Sequence, residues 1–332
     1  MAQILSLKQR PDLYSAVLRL VEHSFGNVSH HKIEIDFYPL FQESNWEHCF
    51  IMIDDSGTLL AHLGVKTRQM IIGNELVPVA LLGGIAVEEQ ERGRGNFRTL
   101  FQEVIKKYEN FVAFFMLWSE KNTLYEKFDF HQVGEVFEGQ FRISNKDILT
   151  SSTLDQIPSS EQDVIKNLYA LAYEEKYACL KREHDDWNAI KKITSAHLLF
   201  VRDRAGKLIN YAFKNKGMDL QNIVYEWHSM ESLKSESLGT DSKIWSPVPL
   251  DNDFKNLRTL FLGLAKIGNF NLFQHFFNCI FKDRLHLQGR KQLFKIREHG
   301  EQEYSAQTIL EMVFSNSLPN KWYIYVSGVD SI

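Results

Sequence analysis

The sequence contains few cysteines and carries little net charge, and each scarcity restricts what the protein can do. Three of the 332 residues are cysteines (Cys49, Cys179 and Cys279), and they lie far apart in the sequence. This spacing matches neither a disulfide framework nor a cysteine metal site, so we expect the chain to work in a reducing compartment. The formal net charge of −4 argues against a general nucleic-acid-binding protein, because neutralising phosphates requires a basic surface.

Long apolar stretches are also missing from the sequence. No run approaches the roughly 18 uninterrupted apolar residues that a transmembrane helix needs. The N-terminal sequence MAQILSLKQRPD lacks the apolar core and the small-residue cleavage site of a signal peptide. We therefore expect a cytoplasmic protein with no membrane partner. The pair His30 and His31 has no third ligand nearby, so the sequence predicts no metal site.

What the sequence does contain is a strand, a charged loop and a helix in succession at residues 83–100, GGIAVEEQERGRGNFRTL. The apolar residues up to Val87 predict a buried strand, and apolar residues recur at helical spacing from Phe97 to Tyr108. Between them lies a loop rich in glycine and arginine at 92–96. Such a loop at the start of a helix presents free backbone N–H groups at the positive end of the helix dipole. The stretch therefore predicts an anion site, most often a phosphate site.

The pattern of this loop distinguishes it from the two commonest phosphate loops. It lacks the Gly-Lys-Ser/Thr of a P-loop and the third glycine of a dinucleotide fingerprint. It resembles instead the signature of the GNAT superfamily of N-acetyltransferases, which is a strand ending in Val, a short spacer, and then Arg/Gln-x-x-Gly-x-Gly/Ala opening a helix. Val87, Arg92 and Gly95 fit this pattern in register, whereas Phe97 occupies its last Gly/Ala position.

A second resemblance to the same superfamily lies downstream, in the segment that ends its catalytic domain. There a Tyr is followed three residues later by an apolar residue and then by Gly-Phe. Tyr125, Phe128 and Phe130 match these positions, and Asp129 stands where Gly is usual. Asp tolerates the left-handed backbone conformation better than most residues, so we expect the turn to survive this change.

The order of predicted elements in the first half agrees with these motifs. Two helices, three strands, a helix, a strand, a helix and a strand follow one another, as the acetyltransferase fold requires. The resemblance therefore implies an α/β (α+β) fold, the GNAT acyl-CoA N-acyltransferase fold with a mixed central sheet, over residues 1–145. A polar linker that contains Pro158 follows at 146–160.

The second half, residues 161–332, repeats part of this order. A helix, a hairpin and a strand recur, but polar residues at 231–243 stand where a second pyrophosphate loop would be, which predicts a degenerate GNAT-like domain. The strongly apolar residues 253–281 predict one helical stretch or a helix pair, broken near Gly268 and Asn269. A strand-like run is predicted from Leu318 to Val326.

The resemblance implies that acetyl-CoA is the co-substrate, that no metal is needed, and that the acceptor is an amine of a small molecule or a peptide. The N–H groups of the loop would bind the pyrophosphate, and the backbone of the preceding strand would pair with the pantetheine amides. The residues implied in cofactor binding are Ile85, Ala86, Val87, Arg92, Gly93, Arg94, Gly95, Asn96, Phe97, Arg98 and Asn122.

Catalysis by direct attack requires an acid for the departing thiolate and a base for the amine. Tyr125 is the candidate acid, because the matching Tyr of the superfamily lies beside the coenzyme A sulfur. Glu88, with its neighbour Glu89, is one candidate base at the end of the cofactor strand. The α-carboxylate of Ile332 is another, because the chain also resembles the tandem acetyltransferases of the enhanced-intracellular-survival type, which place their C-terminus in the active site. Those proteins carry a third, sterol-carrier-like domain, for which this chain is short.

Two other classes of function stay open. The departures at Phe97 and Asp129 also fit a non-catalytic acyl-CoA sensor or interaction module. An aminoacyl-transferase built from two such folds is disfavoured, because that group generally lacks an intact pyrophosphate loop. The sequence does not determine the acceptor amine, the acyl length, or whether the chain forms a homo-oligomer.

Overall fold

We describe the fold from a computed structural model, which covers residues 2–26, 32–141, 150–230, 242–282, 285–290, 293–297, 301–315, 318 and 321–332. Two large sheets with helices packed on them make up most of this part of the chain, and a small third sheet lies near its end. The α-helices are α1 (Tyr14–Ser24), α2 (Ile33–Asp36), α3 (Tyr38–Phe41), α4 (Asn96–Tyr108), α5 (Asn122–Glu126), α6 (Ser159–Tyr169), α7 (His184–Ile190), α8 (Phe270–Ile280) and α9 (Ala306–Phe314).

The strands alternate with these helices in both halves of the chain. In the first half they are β1 (Gln3–Ser6), β2 (Cys49–Ile53), β3 (Leu59–Ile72), β4 (Glu75–Val87), β5 (Phe114–Leu117), β6 (His131–Val133) and β7 (Val136–Phe141). In the second half they are β8 (Thr150–Ser152), β9 (Tyr177–Leu180), β10 (His197–Arg202), β11 (Leu208–Lys214), β12 (Ile223–Trp227), β13 (Lys243–Ser246), β14 (Phe254–Leu260), β15 (Gly263–Ile267), β16 (His286–Arg290), β17 (Leu293–Arg297), β18 (Glu301–Tyr304) and β19 (Tyr323–Tyr325).

The first sheet is mixed, as predicted. Its strands run in the order β1-β2-β3-β4-β5-β15-β6, with β9 pairing beside the far end of β3 and β19 pairing β9. Strands β4 and β5 are parallel, and so are β9 and β19. Helix α4 packs on one face of the sheet, and helices α1, α8 and α9 pack on the other. Apolar residues recur at helical spacing in α4, and this pattern explains why one side of that helix is buried.

The second sheet has the order β14-β7-β13-β12-β11-β10-β8. Strands β12 and β13 are parallel, like β4 and β5 in the first sheet. Side chains of α6 and α7 pack with one face of this sheet in a separate apolar cluster. The two halves therefore share a plan of hairpin strands followed by a parallel pair, which confirms two GNAT-like halves.

The two halves exchange a strand with each other. Strand β7 leaves the first half and lies between β14 and β13 of the second sheet, whereas β15 of the second half lies between β5 and β6 of the first sheet. The division at 145 stays a prediction, and each sheet contains at least one strand from the other side of that division. Of the predicted linker, residues 146–149 lie outside the described residues, and β8 forms an edge of the second sheet.

The prediction of a helical stretch or helix pair over residues 253–281 is wrong in its first part. Phe254–Leu260 and Gly263–Ile267 are strands, and only Phe270–Ile280 is a helix, capped by Asn269, whose side chain accepts a hydrogen bond from the backbone N–H of Leu272. Strand β15 lies between two neighbouring strands, with much of it buried. A short apolar run of this kind cannot be told from a buried helix by its periodicity alone.

Among the described helices, none is both long enough and apolar enough to cross a membrane.

Candidate active site

The parallel strands β4 and β5 open a gap at the centre of the first sheet. Their pairing covers Ala80 with Phe115 and Leu81 with Met116, but β4 continues to Val87. The pairing of β4 with β3 shifts register within this continuation, where Gly84 has a φ of +59°. Glycine adopts this left-handed conformation without steric penalty, so a bulge forms there. The bulge leaves the β5-facing edge of the last β4 residues available to pair with an extended ligand.

The loop after β4 leads directly into the N-terminus of α4. Gly95 is the N-cap with a φ of +87°, and no side chain of the described residues caps the helix, so its first N–H groups are available to a ligand. Arg92 donates from Nε to the carbonyl oxygen of Val87 at 3.3 Å, and Arg94 Nη1 lies 2.8 Å from Glu91 Oε1. Arg98 is exposed on the first turn of the helix. Cationic side chains and free N–H groups thus meet in one place, as an anion site requires.

Replacing Gly95 by alanine tests this loop. A Cβ on Gly95 would meet no atom within 4 Å, so the change acts only through the left-handed backbone, which costs about 1–2 kcal/mol for a non-glycine residue. We expect the KM for acetyl-CoA to rise by about 5- to 30-fold with little change in kcat. Gly206→Ala is the matched control, because Gly206 has a φ of +81°, equally open space, and a place in the distant β10–β11 turn. Equal effects of the two variants on KM would contradict a phosphate role for the loop.

Tyr125 lies in the same apolar cluster as Ile85, Val87 and Phe97. Its side chain is buried, with the residue only 6% exposed, and its ring stands edge-on to Phe97 at 5.9 Å between centroids. Burial raises the pKa of Tyr125 to about 12, although a hydrogen bond with Ser119 acts in the opposite direction. The phenol is therefore protonated at neutral pH and able to donate. The departure at Phe97 has a structural reason, because this ring packs on the tyrosine.

Two further features of the site lie at the start of α5 and in the turn that follows it. Asn122 Oδ1 is buried and has no hydrogen-bond partner within the described part of the chain. A buried acceptor without a partner is costly, and a ligand that donates to it would remove that cost. Asp129 has a φ of +62°, so it adopts the left-handed conformation that we expected at this position. The turn between α5 and β6 is thus kept without glycine.

The two candidate bases lie at different ends of the bulged part of β4. Glu88 is half-buried just after the strand, and its backbone N–H donates to Leu60, whereas Glu89 is exposed beside His23. Ile332 is only 8% exposed and lies against Gly83. A Cβ on Gly83 would come within 2.5 Å of the carbonyl carbon and oxygen of Ile332, so only glycine leaves room for the chain there.

His62 is a residue of this region that the sequence analysis missed. It is fully buried on β3 opposite Ala86, stacks on Phe41, and its Nδ1 lies 2.7 Å from the carbonyl oxygen of Gly84. Since that oxygen can only accept, Nδ1 carries the hydrogen. Nε2 is buried without a partner among the described residues, and burial lowers the pKa of His62 to about 4. A neutral imidazole with a free lone pair therefore adjoins the bulge.

A buried group of charged side chains was also missed. Arg182, after β9, pairs with Glu226 of β12 and with Asp330 near the chain end, at 2.5 Å and 2.8 Å between nearest atoms. Arg68 of β3 reaches the same Asp330 at 3.3 Å. Nothing in the sequence signals this group, because its members are scattered along the chain. It connects the first sheet, the second sheet and the residues that lead to Ile332.

The described residues contain no group of three or more His, Cys, Asp or Glu side chains arranged to hold a metal ion. The pair His30 and His31 lies outside the described residues.

Comparison with known families agrees with this geometry. Residues 8–133, which hold the splayed strands, the loop and Tyr125, match the family model of the acetyltransferase (GNAT) domain. The chain carries a GNAT acetyltransferase domain. This domain belongs to a family of acetyltransferases, whose members use an acyl-coenzyme A and act on amine acceptors. A search of curated proteins gave no match.

Solved structures share the GNAT fold over most of the chain. A conserved protein of unknown function from Enterococcus faecalis is similar with a TM-score of 0.59 and 14% identity, over 82% of this chain and 74% of its own. A GCN5-related N-acetyltransferase from Anabaena variabilis has a TM-score of 0.57 and 13% identity, over 92% of this chain and 86% of its own. Eis1 from Mycobacterium abscessus has a TM-score of 0.54 and 13% identity, over 91% of this chain and 86% of its own. At such low identity these likenesses show the fold alone.

Proposed function

We propose that this GNAT protein is an N-acetyltransferase that transfers an acetyl group from acetyl-CoA to a primary amine by direct attack. The observation that carries the proposal is the buried, protonated Tyr125 in one apolar cluster with Ile85 and Val87, the strand residues that would hold the pantetheine arm. Acetyl-CoA fits the site on two grounds. The loop at 92–98 offers free N–H groups and arginines to its phosphates, and the unpartnered Asn122 Oδ1 offers an acceptor to an amide of its arm.

The proposed reaction needs one base and one acid from this chain. The neutral amine attacks the thioester carbonyl, a C–N bond forms, and the C–S bond breaks with its electron pair leaving on sulfur. Tyr125 donates its proton to the departing thiolate as general acid. Burial keeps that proton on the phenol at neutral pH, because it raises the pKa of Tyr125 to about 12. The proton lost by the amine goes to the base.

We propose the α-carboxylate of Ile332 as that base. It lies against Gly83, next to the bulge and on the same side of the sheet as His62 and Ala86. Glu88 follows the strand at its outer end and stays the second candidate. The neutral His62, with its free Nε2, adds a further acceptor near the bulge.

Appending Gly-Ser after Ile332 tests this assignment. The extension moves the carboxylate away from Gly83, so we expect kcat to fall by about 10²-fold or more while the affinity for acetyl-CoA stays close to that of the unmodified chain. Ile332→Val, which keeps a β-branched side chain and the carboxylate in place, is the matched control and should retain activity. Unchanged activity of the extended chain would remove the proposal and direct attention to Glu88→Gln.

The proposed function is tested by release of coenzyme A thiol from acetyl-CoA across a panel of amines, including polyamines, amino sugars and peptides. We expect amine-dependent release with at least one class of acceptor. Tight binding of coenzyme A without release across the whole panel would instead favour the acyl-CoA sensor. The panel also tests which class of amine is the acceptor. The cytoplasmic location stays a prediction from the sequence.

A further inference from the structure

Lys216, which follows β11 in the second half, is a buried lysine surrounded by the last residues of the chain. The residue is 3% exposed. Its Nζ donates to the carbonyl oxygens of Gly328 at 3.1 Å and Val329 at 3.3 Å, and to Ser331 through both the carbonyl oxygen and, at 2.9 Å, the hydroxyl oxygen. An ammonium has three N–H donors, and these four acceptors all belong to the segment 327–332, which we call the tail.

Burying an ammonium is unfavourable unless acceptors surround it. Burial lowers the pKa of Lys216 to about 7, and the carboxylates of Asp330, Asp36 and Asp219 oppose that shift. The ring of Phe37 lies 5.1 Å from Nζ and supplies a further favourable contact. The protonated form, which predominates below about pH 7, is the one suited to bind the carbonyl oxygens that the tail presents.

The tail connects this lysine to the proposed active site. On one side of it, Asp330 pairs with Arg182 and Arg68. Beyond that point, Ile332 lies against Gly83 of β4. Lys216 belongs to the second sheet's side of the molecule, whereas Gly83 belongs to the family-matched half. Contacts made by the degenerate half thus determine where the chain end lies in the catalytic half.

We infer that Lys216 is a positioning residue for acetyl transfer: its ammonium fixes the backbone of Gly328–Ser331 and so places the carboxylate of Ile332 beside the bulge of β4. The inference rests on the proposed function for the role of that carboxylate, but the fixing of the tail can be measured without any activity. It also gives the degenerate half a function, because that half holds the chain end for the other half.

The first test measures the tail itself. The folded chain is treated with a carboxypeptidase, and release of Ile332 and Ser331 is followed by mass spectrometry. Removing a hydrogen-bonded charge from Lys216 should speed release by about 10- to 100-fold in Lys216→Met. Lys216→Arg, which keeps a cationic donor, should stay closer to wild type. Lys321→Met is the matched control, because Lys321 is also a buried lysine that donates to a backbone carbonyl, at Val313, but does not contact the tail.

The second test asks whether Lys216 acts through the carboxylate. In the unmodified chain, Lys216→Met should lower kcat by about 10- to 100-fold with the KM for acetyl-CoA nearly unchanged. In the chain extended by Gly-Ser, the same substitution should have little further effect, because two changes that act through one group are not additive. If Lys216 had a purely structural role, Lys216→Met would lower kcat by the same factor in both chains.

The outcomes separate the two proposals. If Lys216→Met leaves the tail as protected as in wild type, the positioning role is wrong, whatever the activity. If the tail is released faster but no amine supports thiol release, the proposed function fails and the fixing of the tail stands. If Lys216→Met does not fold, Lys216→Gln, which retains two N–H donors, provides the milder change, and its tail should be released faster than that of Lys216→Arg.

Discussion

Replacing Tyr125 by phenylalanine is expected to lower kcat by about 10²- to 10⁴-fold, the range typical of a lost general acid, with little change in the affinity for acetyl-CoA. The substitution removes only the hydroxyl group. The ring contacts with Phe97 and Phe101, at 5.9 Å and 5.7 Å between centroids, are kept. Steady-state kinetics with the best amine of the panel, together with direct binding of coenzyme A, measures the two effects separately.

The control for this prediction is Tyr108→Phe. Tyr108 is equally buried at 6% exposure, and its hydroxyl oxygen lies 2.6 Å from His48 Nδ1, at the opposite end of α4. The Tyr108→Phe variant should lose some stability but keep the kcat of the wild type. Because burial raises the pKa of Tyr125 to about 12, the phenol stays protonated, so the ratio of wild-type to variant kcat should be constant from about pH 6 to 10. A ratio that falls toward one in that range would contradict the acid role.

Replacing Arg182 by methionine is expected to lower the free energy of unfolding by about 3–5 kcal/mol, the usual cost of breaking a buried ion pair from one side. The guanidinium is fully buried, and its loss leaves the carboxylates of Glu226 and Asp330 with one cation fewer. It also removes stacking on Tyr169, at 3.9 Å from the guanidinium carbon to the ring centroid. Urea unfolding followed by tyrosine and tryptophan fluorescence measures the change.

The pH dependence of this variant provides a sharper check. In the wild type, burial acts to raise the pKa of Asp330, but Arg182 and Arg68 outweigh it and lower the pKa below its ordinary value. Its contribution to stability is therefore present above about pH 4 and is lost as the pH falls through the lowered pKa. Without Arg182, only Arg68 and Lys216 still lower that pKa against burial, so the variant should begin to lose stability at a higher pH than the wild type as the pH falls.

The matched control is Arg202→Met. Arg202 also donates hydrogen bonds to a glutamate, Glu161, from both of its terminal nitrogens, but this pair lies at the surface. Solvent screens such pairs, so the urea midpoint should move little, and the pH dependence of stability should stay close to that of the wild type. A similar loss in both variants would contradict the idea that burial makes the loss of the Arg182 pair costly.

The parts of the site that the sequence predicted are those that depend on residues close to one another in the sequence. The strand, the loop and helix α4 lie within residues 83–108, and their glycine conformation and apolar spacing are local properties. The left-handed turn at Asp129 followed from residue type in the same way. Local patterns were therefore enough to identify the superfamily and the part of the chain that matches its family model.

The parts that the sequence did not predict depend on contacts between distant residues. Arg182 and Asp330 are 148 positions apart, and a single arginine in a sequence carries no sign that it will be buried. His62 stands in an apolar strand, and only the bulge at Gly84 gives its Nδ1 a partner. The apolar run of β15 suits either a helix or a strand, and its pairing with β5 and β6 makes it a strand.

The exchange of β7 and β15 has a consequence for how the protein is made on the ribosome. The segment that matches the GNAT family ends at residue 133, but its sheet also needs β15, β9 and β19, and the last of these ends at Tyr325. At about 5–20 residues per second, the roughly 190 intervening residues take about 10–40 s to synthesise. During that time β5 and β6 have open edges, which are surfaces for mispairing. The half that matches the family is thus translated first and completed last.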